Sequence, residues 1–280
     1  MLYNLLYSFF SAIAWPMTQP VSGGSFHLLF TFFGAALASG LAVLFARKCF
    51  IPPEKVLFSC GLLLLLSELV KQGFLFFIVY NRHFNWWYFP FQLCSIPMYL
   101  CLLYPSAARC GLSAPIMVFL QDFGLLGGIM ALIVPDGFLW PYWILTLHGF
   151  FWHFLLVFLG LYCHLNGVSG FFYSLPIYFF CAGIAVLINT GVQLWIYPES
   201  YADMFYINCF FPSEQPLFSE ISKTLGNFWG HLAYVLASCI GAGGIHLLLN
   251  RRSLLAKSKK PLPFTGLPGQ EHIPPSSRKN

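Results

Sequence analysis

Apolar residues run in seven long blocks between Phe26 and Leu249, and polar positions fall between the blocks far more often than within them. The blocks predict spans at about Phe26 to Phe45, Val56 to Tyr80, Tyr88 to Tyr104, Ala114 to Pro135, Trp140 to Cys163, Phe171 to Tyr197 and Gly226 to Leu249. A helix needs about 20 apolar residues to cross the hydrocarbon core, which is roughly what each block supplies. The blocks are continuous in Leu, Phe, Ile and Val and do not alternate, which favours helices over a β-barrel, and a helix satisfies its own backbone hydrogen bonds in lipid. The expected fold is an all-α polytopic membrane bundle of about seven transmembrane helices over residues 26–249.

Composition excludes a soluble domain. Only 8% of the 280 residues are charged and 58% are hydrophobic, with a mean hydropathy of +0.73, too little polar surface to coat a water-soluble fold. The basic residues set the expected orientation. With the C-terminus inside, 11 of the 14 Lys and Arg residues face the cytoplasm, among them Arg47, Lys48, Lys55, Arg109, Arg251 and Lys257. Arg82 and Lys223 fall outside and Lys71 lies within a span, while Asp136, Glu199, Asp203, Glu214 and Glu220 sit in outer loops. This bias predicts a cell-membrane protein with its N-terminus outside and its C-terminus cytoplasmic. Trp86, Trp87, Tyr88, Trp140, Tyr142 and Trp143 mark the outer interface as an aromatic belt.

Both ends differ from the middle. In residues 1–25 the run Leu5 to Ala14 is too short to span. It reads as an interfacial helix ended by Trp15 and Pro16, or as a signal-peptide core with Ala12-Ile13-Ala14 as its cleavage site, although a basic n-region is missing. Residues 250–280 are rich in Pro, Ser and basic side chains and predict a disordered cytoplasmic tail. The nine cysteines lie mostly within spans or at cytoplasmic ends, with Cys209 alone in an outer loop, so no disulfide framework is expected. Neither a Cys-x-x-Cys nor a His-Glu-x-x-His spacing occurs. No metal, cofactor or nucleic acid is therefore implied.

Candidate chemistry lies in the ionisable and polar residues inside the spans. A central Asp, Lys or Arg costs about 2.5 to 3.5 kcal/mol on insertion scales and normally faces a bundle interior or a wet cavity. Glu68 and Lys71 stand three apart on one helical face and can neutralise each other. Asp122 has no obvious partner in its own helix beyond Gln121 and needs one from elsewhere. In the predicted orientation Gln92, Cys94, His148, Asn189, Gln193 and His231 all fall within two or three turns of the outer surface, with Lys71 slightly deeper. Such a level of side chains from four helices predicts a polar cavity in the outer half; the same residues could instead serve as interhelical hydrogen bonds. Gly124 and Gly128 form a Gly-x-x-x-Gly pair, and Ala233, Ala237 and Gly241 a second small stripe, either of which offers a surface for a homo-oligomer.

Glu68-Leu69-Val70-Lys71-Gln72, Pro90-Phe91-Gln92-Leu93-Cys94-Ser95, His148-Gly149 and Asn208-Cys209-Phe210-Phe211-Pro212 resemble the YwaF-like integral membrane family of bacteria, over about Val56 to Leu249. That family is similar in turn to a eukaryotic transmembrane acyltransferase of ether-phospholipid remodelling, in which a Cys beside a His at the start of the corresponding span carries the acyl group. The resemblance implies a lipid-facing polar cavity. Here Phe91 and Gln92 stand at the Cys and His positions, and of the family's candidate bases His148 is kept. Two functions stay open. In one, the cavity binds a lipid or small amphiphile through Glu68, Lys71, Gln92, Asn189 and Gln193. In the other, Cys94 is a nucleophile activated by His148 or His231 and an acyl chain moves between membrane lipids.

Overall fold

The computed structural model of the protein describes residues 1–49, 51–167, 170–199, 201–215 and 217–258. Its α-helices are α1 (Leu2–Ala12), α2 (Ser25–Lys48), α3 (Pro53–Phe74), α4 (Ile96–Arg109), α5 (Ser113–Phe119), α6 (Leu125–Ile133), α7 (Trp143–Leu165), α8 (Leu175–Gly191), α9 (Phe218–Leu225) and α10 (Asn227–Ser258). Three of them run into π-turns: α3 through Leu75–Val79, α5 through Leu120–Gly124 into α6, and α8 through Val192–Ile196. Six segments are long and apolar enough to cross a membrane: Ser25–Lys48, Pro53–Val79, Ser113–Ile133, Trp143–Leu165, Phe171–Ile196 and Asn227–Arg251. This is a multi-pass, all-helical membrane bundle.

The third expected span is the exception. Its helix starts at the short turn Leu93–Ser95 and continues as α4, 14 residues or about 21 Å, less than the hydrocarbon thickness. After the short 3-10 turn Trp86–Tyr88, the part from Phe89 to Gln92, predicted as helix, is irregular. Pro90 lacks an amide hydrogen, and Tyr99 donates its hydroxyl to the Pro90 carbonyl, at 2.8 Å, where a helical partner would stand. Non-helical backbone at this depth is tolerated because it is packed within protein. The last helix also departs from expectation, since α10 continues beyond Leu249 to Ser258. Arg251, Arg252, Leu254, Leu255 and Ala256 are strong helix formers, which outweighs the change in composition that suggested a tail from Asn250. Residues 259–280, with Lys259, Lys260, Arg278 and Lys279, lie outside the described residues.

Burial shows which helices are central. In the most apolar stretch of Ser113–Ile133 and of Trp143–Leu165, 61% of residues are buried, against 11% for Ser25–Lys48 and 17% for Asn227–Arg251. Helix α7 is the hub, with α2, α3, α5 and α6 packed against it, and α4 lies along α3. The approach of α3 and α4 depends on Gly61: a methyl there would stand 2.8 Å from the Leu102 nitrogen. Gly128 serves α6 and α7 in the same way, with Leu156 Cβ 3.0 Å from where its own Cβ would lie, and Gly124 faces Pro97. The Gly124–Gly128 stripe expected to serve an oligomer is thus used inside the chain, and Gly241 packs on Leu126.

One end of the bundle carries Lys48, Lys55, Arg109 and Arg251 and is here the basic end. The opposite, loop end holds residues 80–92, 134–142, 197–199 and 201–215. Helix α1 lies at the loop end, where Phe10 stacks on Phe77 (5.5 Å) and meets Phe74 edge-on (6.5 Å). The segment after α1 is tied down by backbone hydrogen bonds from Trp143 to Trp15 and from Met17 to Pro141.

Candidate functional site

Near the loop end of α3 the expected ion pair forms. Lys71 Nζ lies 2.7 Å from Glu68 Oε1, with the two side chains 18% and 5% exposed. Gln72, one turn on from Glu68, donates to the same carboxylate oxygen at 2.8 Å and to the carbonyl of Tyr88, so the irregular loop is tied to the ion pair. Three residues of one face, Leu63, Ser67 and Lys71, stand four apart along α3. Ser67 Oγ is 2.7 Å from His148 Nδ1 on α7, bringing that histidine to within one turn of the ion pair. Cys94 approaches from the third element: its carbonyl accepts the indole N–H of Trp152 (3.0 Å), and the Trp152 ring packs on His148 at 5.5 Å. Cys94, His148 and His153 all lie within electrostatic reach of Lys71.

Above these residues sits a loop that sequence reasoning did not anticipate. Gln92 and Asn189 grip it with both ends of their amides. Gln92 Nε2 donates to the Asp203 carbonyl and Gln92 Oε1 accepts from the Phe205 amide, each at 2.8 Å. Asn189 Nδ2 donates to the Met204 carbonyl (3.0 Å) and Asn189 Oδ1 accepts from the Met204 amide (2.7 Å). Such clamping has a reason. Phe205 and Tyr206 have φ of 59° and 55°, a left-handed pair that side-chain-bearing residues adopt only where surroundings dictate it. The Asn208 motif completes the turn, its amide donating to Asp203 Oδ1 at 2.8 Å and its side chain accepting from the Phe210 amide. Asp203 itself is fully buried and its Oδ2 has no hydrogen-bond partner among the described residues. Burial, reinforced by the nearby Glu214 carboxylate, raises its pKa to about 7.

The single polar cavity expected from the sequence therefore resolves into separate parts. Gln92 and Asn189 hold the roof loop, Gln193 donates to the Pro198 carbonyl at the surface, and His231 is buried on α10 with neither ring nitrogen hydrogen-bonded among the described residues. The cleft beside Gln72, Tyr80 and Tyr88 has about 10 Å³, room for one water and not for an acyl chain. What the fold does assemble is a polar cluster of Ser67, Glu68, Lys71 and His148 on the flank of α3 and α7, with Cys94 linked to it through Trp152. Of the predicted catalytic residues, His148 places Nδ1 2.7 Å from Ser67 Oγ, and the His231 ring nitrogens have no hydrogen-bond partner among the described residues. Phe91 packs on Tyr99 and Phe205, each at 6.1 Å.

Sequence reasoning missed Ser67 and Trp152, which lack charge and sit among apolar neighbours, and the loop role of Asp203. It also missed the partner of Asp122. That partner is His246 of α10, whose Nδ1 lies 2.9 Å from Asp122 Oδ2. The chain matches no family model, no curated protein and no solved structure.

Proposed function

We propose that this multi-pass membrane protein is YwaF-like and binds the polar end of a lipid or small amphiphile at Lys71, on the flank between α3 and α7. The observation that carries the reading is the setting of the Lys71–Glu68 pair. A charged ammonium, 18% exposed, lies in a span whose outward side chains Leu63, Leu66, Leu69 and Val70 are 48%, 52%, 59% and 37% exposed and wholly apolar. An intramembrane ion pair with one side open to lipid suits a ligand with an anionic or polar head and an apolar tail. Ser67 and His148 would meet the head beside Lys71, and the tail would follow Leu63 along α3. That the motifs of the family resemblance, around Lys71, Cys94, His148 and Asn208, converge at this end of the bundle supports the YwaF-like reading. In this reading the loop end faces outward, as the Lys and Arg bias favours.

Acyl transfer is the second reading, favoured by one observation, that Cys94 accepts at its carbonyl from Trp152, whose ring packs on His148. The two part cleanly in one experiment. Protein purified in mild detergent is incubated with a phospholipid or thioester donor and examined by native and intact mass spectrometry. Binding predicts a noncovalent amphiphile that falls at least tenfold in the Glu68→Gln, Lys71→Met double variant, with no acyl adduct on any cysteine. An adduct lost in Cys94→Ala would establish acyl transfer instead, and occupancy unchanged in the double variant would remove the Lys71 site.

A further inference from the structure

At the basic end a second polar cluster lies on three helices, remote from the flank site. Its centre is Asp122, fully buried in the π-turn that joins α5 to α6. His246 of α10, 6% exposed, places Nδ1 2.9 Å from Asp122 Oδ2 and 3.1 Å from Oδ1. Gln121 Nε2 donates to Asp122 Oδ1 at 2.6 Å, and Gln121 Oε1 lies 3.2 Å from His164 Nδ1 near the end of α7. His164 is half-buried, and α7 ends at the next residue, Leu165. Asn250, a turn beyond His246 on α10, donates to the His246 carbonyl (2.9 Å).

The chemistry of the cluster is specific. A structural carboxylate in a membrane span is ordinarily matched by Arg or Lys, which keep their charge at all working pH values. Asp122 is matched by imidazole, whose ordinary titration lies near neutrality. A carboxylate and an imidazole in hydrogen-bond contact are chemically able to share one proton, in a setting where every added or removed charge is costly. The π-turn makes the arrangement possible. Consecutive side chains of a regular helix diverge by about 100°, yet Gln121 and Asp122 are both fully buried, and Gln121 Nε2 lies 3.3 Å from His246 Nδ1 of α10 while its Oε1 meets His164 of α7. Turns of this kind occur frequently at functional sites.

We propose that the Asp122–His246 pair is an intramembrane proton-binding site, reached from the basic end past His164. The groups facing it from the surrounding elements are few. Helix α7 presents His164, α10 presents His246 and Asn250, and the turn before α8 presents the Phe171 ring, 6.0 Å from His246. Helix α6 has no titratable side chain, Tyr104 of α4 gives its hydroxyl to Met117 Sδ, and Cys94 of the 93–95 turn has Lys71 and Glu68 as its charged neighbours. Among the described residues His246 is the charge partner of both Asp122 and His164.

Infrared spectroscopy of the full chain in lipid nanodiscs, titrated from pH 4 to 9, tests this. A protonated carboxyl has a C=O stretch separate from the amide bands. Measured in an Asp203→Asn background, which removes the roof-loop carboxyl that also titrates in this range, the site predicts a carboxyl signal that titrates between pH 4 and 9, is absent once Asp122→Asn is added, and has its midpoint shifted by about one pH unit or more by His246→Gln, where a hydrogen-bonding but uncharged group replaces the ring. Should the added Asp122→Asn prevent folding, His246→Gln alone decides, since a midpoint equal to that of the Asp203→Asn parent overturns the proposal. Identical spectra for that parent with and without Asp122→Asn across the range would also overturn it.

Discussion

Lys71→Met lowers the stability of the bundle by about 3 to 5 kcal/mol, the usual cost of leaving one member of a buried ion pair alone. Glu68 is then a carboxylate 5% exposed in a span with one remaining donor, Gln72 Nε2. Adding Glu68→Gln removes the stranded charge, so the double variant recovers most of the loss. The reason is an asymmetry of ion pairs in low dielectric: the pair itself contributes little, because desolvation of both ions offsets their attraction, whereas a lone ion keeps the full penalty. Unfolding in mixed detergent micelles gives the comparison directly. Equal losses in the single and double variants would mean that the two side chains do not interact.

The second large effect is a dependence of stability on pH that runs through Asp203. Its folded pKa of about 7 lies above the usual carboxylate value of 3.8, so the folded chain holds this proton more tightly than the unfolded chain. The stabilisation is fully present below about pH 4 and is lost as pH rises through 7, at up to about 1.4 kcal/mol per pH unit between those limits. The deprotonated form places a charge under the roof loop with Oδ2 unpaired beside Glu214. Asp203→Asn keeps an acceptor for the Asn208 amide and has nothing to ionise. Its thermal midpoint should change much less between pH 4.5 and 8 than that of the unmodified chain. Parallel pH profiles would show that Asp203 does not titrate in this window.

Much of the bundle was legible because a lipid environment restricts the options so severely. Continuous apolar blocks with Lys and Arg between them admit few other readings, and the Glu68–Lys71 pair follows from spacing on a single helix. The third block misled because hydropathy does not distinguish a spanning helix from irregular backbone buried by its neighbours. Pro90 was the available signal, but its carbonyl partner, Tyr99, becomes apparent only once the chain turns back on itself. Gln92 and Asn189 stand out in the sequence as polar residues within apolar blocks. Their partners are backbone groups of residues 203–205, which have no side-chain signature. Asp122 announced its need for a partner, and His246 supplies it from 124 residues further along the chain, a separation that no local pattern encodes.

The claim at the centre of this account is an amphiphile held at Lys71 between α3 and α7. A lipid carrying a photoactivatable group close to its head, crosslinked to the full chain in nanodiscs and mapped by peptide mass spectrometry, tests it most directly. The account predicts adducts on α3 around Ser67 to Lys71 and on α7 around His148, diminished at least tenfold in the Glu68→Gln, Lys71→Met variant. Adducts spread evenly over the lipid-facing surfaces of α2, α8 and α10, and unaffected by that variant, would contradict it.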